Sequence, residues 1–370
     1  MRSQLSAQGT PVIDLTVSNP TAIGLTYPPE WVDELADPAV FSYAPDPKGL
    51  SLARRSVAAL FSKKGVPVTE EQIVLTASTS EAYSWLFKLL GDPGSNVLVP
   101  TPSYPLFGYL AGLNDLEAVP YFLRRTGDGP WHLDRESVVA AFDEKTCAVV
   151  AVHPNNPTGS ALRADEARWL ADFCAQRGVA LISDEVFADY LHTPDPQIPP
   201  TLLGNSGALT FALGGLSKFA ALPQMKMGWI ACNGPAEDCA QALARLELIA
   251  DTYLSVNTPV QRAAPAWITQ ADRIQQPIRS RLSENLKFLR EQTAAGSWRL
   301  LPSDGGWSAV LHNPALADEE TWAVSLLEKK NVFVHPGFFF DFEQEGFVVV
   351  SLLCELKQFR EGITRLCSHE

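Results

Sequence analysis

Short apolar runs alternate with polar loops and helical periods through the first two thirds of the chain. Residues 73–75 form one such run, and beyond Ser78, Thr79 and Ser80 the residues Ala82, Trp85, Leu86, Leu89 and Leu90 fall on one face of a helix. The order then recurs. NVLVP leads into TPSYPLFGYL, CAVVAV into HPNNPTGSAL and a helix over 163–177, VALIS into DEVFADY, and ALTFAL into GGLSKF. Strands alternating with helices predict an α/β fold with a mainly parallel sheet and helices on both faces. In such sheets ligands collect outside the carboxyl ends of the strands. Ser78, Tyr104, Asn156, Asp184 and Lys218 each stand at such an end.

The flanking pattern differs. The first forty residues are rich in proline and turn residues around one short alternation, VIDLTV, and predict an arm lying across another part of the molecule. From residue 41 a tyrosine, Tyr43, and a proline-stiffened turn precede a helix with Leu52, Val57, Leu60 and Phe61 on one face, stopped by Gly65. Helical periods over 239–254, 260–274 and 280–294 predict long helices leading into the last part of the chain. There short strands (WRLLP, GGWSAVLH, NVFVHPG, FVVVSLL) alternate with helices over 319–330 and 359–367.

Composition narrows the chemistry. Net charge is −13 with scattered basic residues, which disfavours a nucleic-acid partner. Six cysteines without a CxxC pair read as core residues in a reducing compartment, with no metal site or disulfide framework expected. No apolar run reaches membrane-spanning length and the start lacks a signal-peptide core, so a cytoplasmic protein with no membrane partner is expected.

Each candidate has a structural reading beside the chemical one. Lys218 follows a strand and two glycines, where burial lowers an amine's pKa and favours attack on a carbonyl; alone it would read as a loop lysine. Ser78, Thr79 and Ser80 cap a helix and also make a phosphate seat. Residues 155–159, NNPTG, suit a turn, and Asp184 with Glu185 suits a helix start.

In this order the residues resemble the class I/II aminotransferases, pyridoxal-phosphate (PLP) enzymes of fold type I, across essentially the whole chain. The most specific stretches are NNPTG, DEVF, LSK and the segment from Lys226 to Gly228. The resemblance implies an arm over 1–40 joining the small domain, a large cofactor-binding domain over 41–255, and a small α/β C-terminal domain over 256–370. It implies Lys218 as the Schiff-base lysine, Asp184 on the pyridine nitrogen, Asn156 on the ring phenolate and Tyr104 stacked on the ring. Ser78, Thr79, Ser80, Ser217 and Lys226 match phosphate-binding positions. Tyr43 matches a residue reaching the neighbouring subunit's phosphate, and so implies a homodimer with shared sites. The expected reaction moves an amino group from a donor to a keto acceptor. A carbon–sulfur lyase, racemase or decarboxylase of the same fold, or a non-catalytic PLP-binding domain, remain alternatives.

Three positions depart from the family pattern. Phe187 stands where a tyrosine usually donates to the phenolate, and Lys226 replaces an arginine. The arginine that normally grips the substrate carboxylate is absent near Val349. Lys48 is the nearest basic residue in sequence to a site element. A pocket lined by Trp307 and Phe338 that prefers a hydrophobic or carboxylate-poor amine is therefore expected.

Overall fold

The computed structural model describes residues 11–127, 129–205 and 207–368. The first ten residues of the expected arm thus lie outside the described residues. At the centre is an eight-stranded sheet in the spatial order Ile73–Thr76, Gly228–Asn233, Thr210–Gly215, Ala180–Asp184, Thr146–Val152, Asn96–Thr101, Glu117–Arg125, Trp131–Leu133. The five strands from Thr210–Gly215 to Glu117–Arg125 run parallel, and the flanking pairings are antiparallel. Strands buried on both faces need helices on both sides, and their apolar runs are correspondingly continuous. Val97, Val150, Ile182, Phe211 and Leu213 pack towards helices Thr79–Leu90 and Ala236–Asp251. Leu98, Val149 and Leu181 pack on the opposite side against helix Ala164–Arg177.

A second sheet, in the order Arg299–Leu300, Ser308–His312, Phe347–Ser351, His335–Pro336, is antiparallel throughout. The N-terminal segment is laced onto this part of the molecule. Ile13–Asp14 pairs in parallel with Val332–Phe333, Ser351 N–H donates to the Leu15 carbonyl at 2.6 Å, and the Ser351 hydroxyl donates to the Val17 carbonyl at 2.6 Å. Between the sheets run the helices Thr258–Thr269 and Asp272–Thr293. They divide at Gln270 and Ala271 rather than near Pro277, which lies inside the second helix. Ile274, Ile278 and Leu282 carry the buried stripe straight past the proline, so packing outweighs the backbone hydrogen bond it removes.

Gly214 and Gly215 end a fully buried strand. A Cβ on Gly214 would lie 2.5 Å from Trp229 Nε1, so the position is set by close packing on the neighbouring strand. Lys218 follows in the single-turn helix Leu216–Phe219.

Candidate active site

A cavity of about 340 Å³ opens at the carboxyl ends of the parallel strands, between the large sheet and the second sheet. Of the residues singled out in the sequence, Lys218, Asp184, Asn156, Tyr104, Ser78, Thr79, Ser80, Ser217 and Phe187 all line it. Tyr43 and Lys226 do not. Tyr43 is 83% exposed, and Lys226 is exposed with a left-handed backbone, although its neighbour Met227 lines the cavity. Lys48 is also elsewhere, paired with Glu71. Trp307 lines the cavity as expected, whereas Phe338 is 44% exposed and Phe340 takes the inward position.

Asp184 closes one end. Burial pushes its carboxyl up to about 6, against hydrogen bonds from Val186 N–H at 3.2 Å and the Tyr83 hydroxyl at 3.0 Å. Tyr83 also lines the cavity and was not singled out from the sequence, where its place on the helix reads as part of the apolar face. The next residue anchors this segment: Glu185 accepts from the Ser183 and Thr201 hydroxyls and from Leu202 N–H, and Lys64 stands 3.7 Å away.

Lys218 faces Asp184 electrostatically. Burial holds its amine below the usual lysine range, and Asp184 partly opposes that shift. Its Nζ lies 5.1 Å from the centre of the Trp307 ring and 5.8 Å from that of Phe187, and these rings meet edge to face at 5.5 Å. The loop is fixed from behind by the Tyr190 hydroxyl, which donates to the Lys218 carbonyl at 2.7 Å.

At the start of helix Thr79–Leu90, the Ser78 hydroxyl accepts from Glu81 N–H at 3.2 Å. The backbone N–H groups of Thr79 and Ser80, with their hydroxyls and that of Ser217, have no acceptor among the described residues. Free donors at the positive end of a helix suit an anion. The Asn156 side chain accepts from the Ser308 hydroxyl at 3.2 Å, leaving its NH₂ available to the cavity. Opposite stands the segment after Asn156, where Gly159 accepts from Asp304 N–H and Gly305 N–H at 2.9 Å each and Arg163 pairs with Asp304 at 2.8 Å. This clasp ties the NNPTG loop to the chain entering strand Ser308–His312. Anion donors, a carboxylate suited to a protonated ring nitrogen and an amine of lowered basicity therefore meet in one cleft.

Sequence comparison matches the chain to a family. The model of aminotransferase class I and II matches residues 10–366. The glutamate-pyruvate aminotransferase AlaA of Haemophilus influenzae is 29% identical over 268 residues, 70% of this chain and 64% of its own. The chain thus spans a little under two thirds of that relative's length. The S-alkyl-thiohydroximate lyase SUR1 of Arabidopsis thaliana is 31% identical over 248 residues, 65% of this chain and 52% of its own. Among solved structures, the alanine aminotransferase of Pyrococcus furiosus superposes with a TM-score of 0.90 at 22% identity, covering 99% of this chain and 94% of the other, which shows a shared fold.

Proposed function

The chain belongs to the class I and II aminotransferases, and from that premise we propose that it is a PLP-dependent aminotransferase acting between an amino donor and a keto acceptor. The observation that carries this reading is the single cavity joining Lys218, Asp184 and the unpartnered donors of Thr79, Ser80 and Ser217. When bound, PLP supplies an electron sink conjugated to the substrate's carbon–nitrogen bond.

The protein's part follows from its own groups. Thr79, Ser80 and Ser217 hold the phosphate, and Lys226 is assigned there by the family pattern although its side chain points to solvent here. Asp184, ionised above about pH 6, holds a proton on the ring nitrogen. Tyr83 fixes one carboxylate oxygen through its hydroxyl, and Val186 N–H fixes the other. The Asn156 NH₂ donates to the ring oxygen, and Tyr104, half exposed at the rim, covers the ring face. The Lys218 amine would move a proton at the substrate's α-carbon, and burial, which holds it below the usual lysine range, favours the neutral form that can accept one. Trp307 and Phe187 exclude water around Nζ.

The large part of the chain, 41–255, is assigned to cofactor binding and 256–370, with the arm over 1–40, to closing the substrate side. Tyr43 and Phe41, 83% and 93% exposed, are aromatic groups that a second copy would cover, which supports a homodimer with shared sites. Among the described residues no helix is long and apolar enough to cross a membrane, and all six cysteines are free thiols, which supports a reducing, cytoplasmic setting.

The similarity to a lyase favours elimination as the second reading. Borohydride reduction of cofactor-loaded protein should fix the cofactor to Lys218, and Lys218→Ala should lose both fixation and turnover. A panel of amino donors should then convert the cofactor to its aminated form. Fixation at another lysine would overturn the assignment, and release of ammonia with a keto acid from sulfur-bearing donors would replace transamination by elimination.

A further inference from the structure

A second cavity, of about 220 Å³, adjoins the first, and Val186 and Gly215 line both. Its walls come from the end of helix Ser51–Lys63, the end of strand Thr210–Gly215 and the break between the two long helices, at Thr269 and Ala271. Lys218, Asp184 and Asn156 do not line it.

Two carboxylates line this space from one turn, in which Ala188 N–H donates to the Glu185 carbonyl at 3.0 Å and Tyr190 N–H to that of Phe187 at 2.9 Å. Glu185 is 6% exposed. Its Oε1 accepts from the Ser183 and Thr201 hydroxyls and Leu202 N–H, whereas its Oε2 accepts no hydrogen bond and has Lys64 Nζ at 3.7 Å. The Asp189 carboxylate has neither a hydrogen bond nor an ion pair among the described residues; the Arg279 Nε bond at 3.1 Å goes to its backbone carbonyl. Burial raises the Asp189 carboxyl above its ordinary range, against the attraction of Lys64 and Arg279. The rest of the Arg279 guanidinium is turned elsewhere, with Nη2 donating to Gln275 Oε1 at 2.7 Å and Nη1 standing 3.4 Å from Asp272. Lys63, at the rim, is exposed. The Lys64 ammonium is thus left between two carboxylates. The remaining wall is apolar and mostly aromatic, with Phe61, Phe219, Trp229 and Ile268.

We propose that this cavity is a second ligand site, separate from that of the cofactor, which takes a small organic ammonium ion between Glu185 and Asp189. The proposal does not rest on the reaction proposed above. A buried carboxylate oxygen without a donor is costly, and a charged N–H group supplies both the hydrogen bond and the counter-charge. The aromatic walls suit the organic part, and their faces attract a cation as well. A hard metal ion would call for six or more oxygen ligands, and among the described residues no group of three or more His, Cys, Asp or Glu side chains could hold one. The volume lies below the roughly 300–1,000 Å³ of pockets that hold drug-sized ligands, which limits the ion to about one ring or a short chain.

The test uses cofactor-loaded protein and two probes of similar shape, with dissociation constants measured by calorimetry. One is N,N-dimethylbenzylamine, a tertiary amine that cannot condense with the cofactor's carbonyl, and the other is its uncharged analogue N,N-dimethylbenzamide. The ammonium should bind at least about tenfold more tightly than the amide. Asp189→Asn should weaken the ammonium by about 10- to 100-fold, the loss expected for a hydrogen bond to a charged group, and leave the amide within about twofold. Lys64→Met removes the competing cation and should tighten the ammonium by about two- to fivefold, whereas mere damage to the wall would loosen it. Equal binding of the two probes, ammonium binding that ignores Asp189, or weakening by Lys64→Met would each overturn the assignment. Asp189-dependent heat from calcium chloride alone would overturn it in favour of a metal. Should Asp189→Asn fail to fold, the sign of the Lys64→Met change decides.

Discussion

Asp184 lets function and stability be separated by one atom. Its carboxyl is pushed from its ordinary 3.8 up to about 6, first by burial and then by the Glu185 carboxylate, against the Val186 and Tyr83 hydrogen bonds and the attraction of Lys218. A group whose folded pKa is raised contributes stability that is fully present below its unfolded value and lost as the pH rises through the folded one. For Asp184 the window is therefore about pH 4 to 6, and the loss above it is about 3 kcal/mol. Asp184→Asn keeps the shape and removes the charge. The amide oxygen can accept from Val186 N–H, and the Tyr83 hydroxyl can turn to accept from the NH₂. Freed of cofactor, the variant should be more stable than the parent by up to about 3 kcal/mol at pH 8 and by roughly half that at pH 5. Lys218 loses a counter-charge in the variant, and since that attraction is the smallest contribution to the Asp184 shift it removes only part of the gain. Urea unfolding of cofactor-free protein at pH 5 and pH 8 measures the difference, and cofactor affinity should fall in parallel. A variant less stable than the parent at pH 8, or a gap that widens on acidification, would refute the reasoning.

Three further outcomes are expected. Gly159→Ala should lower stability by at least about 1–3 kcal/mol in thermal melts, because at φ +68° its Cβ would lie 2.4 Å from the Gly305 carbonyl oxygen and 2.7 Å from Ser303 Cβ; an unchanged melt would mean the clasp yields. In cofactor-loaded protein, Phe187→Tyr should move the absorbance transition to lower pH by adding a donor to the ring oxygen, and an unchanged or raised midpoint would count against the placement of Phe187. The protein should sediment as a dimer, and Tyr43→Phe should weaken cofactor binding by about 0.5–1.5 kcal/mol in equilibrium titration, or more for a charged acceptor; a fully active monomer rules this out.

What the sequence discloses is the part governed by local period. Asp184, Asn156, Tyr104, Lys218 and Ser78 each follow an apolar run at the end of a strand, and the fold class follows from the same alternation. Tyr83 is hidden by its own helix: its spacing is that of a core residue, and only the pairing of strand order with helix packing turns its hydroxyl towards Asp184. His335, which also lines the cavity, sits in a strand of two residues, too short to show a face, and its relation to Val349 exists only in the register between strands. Phe340 and Phe338 exchange roles because Gly337–Phe340 is a 3₁₀ turn, in which positions two apart face different ways. Lys48 shows the converse, since closeness in sequence to Tyr43 places it against Glu71 and away from the cavity.

The lacing of the arm onto the second sheet has a consequence for the order of events during synthesis. The hydroxyl of Ser351 and the carbonyl of Val17 that it bonds are 334 residues apart, and Thr16, Ser18 and Val349 all line the cavity. Residues 15–17 are therefore made long before strand Phe347–Ser351, to which they are laced. Until then the carboxyl ends of the large sheet stand open on the side that this strand covers. The wall of the cavity that Thr16, Ser18 and Val349 share is thus completed only when strand Phe347–Ser351 is in place, whatever the state of the large sheet.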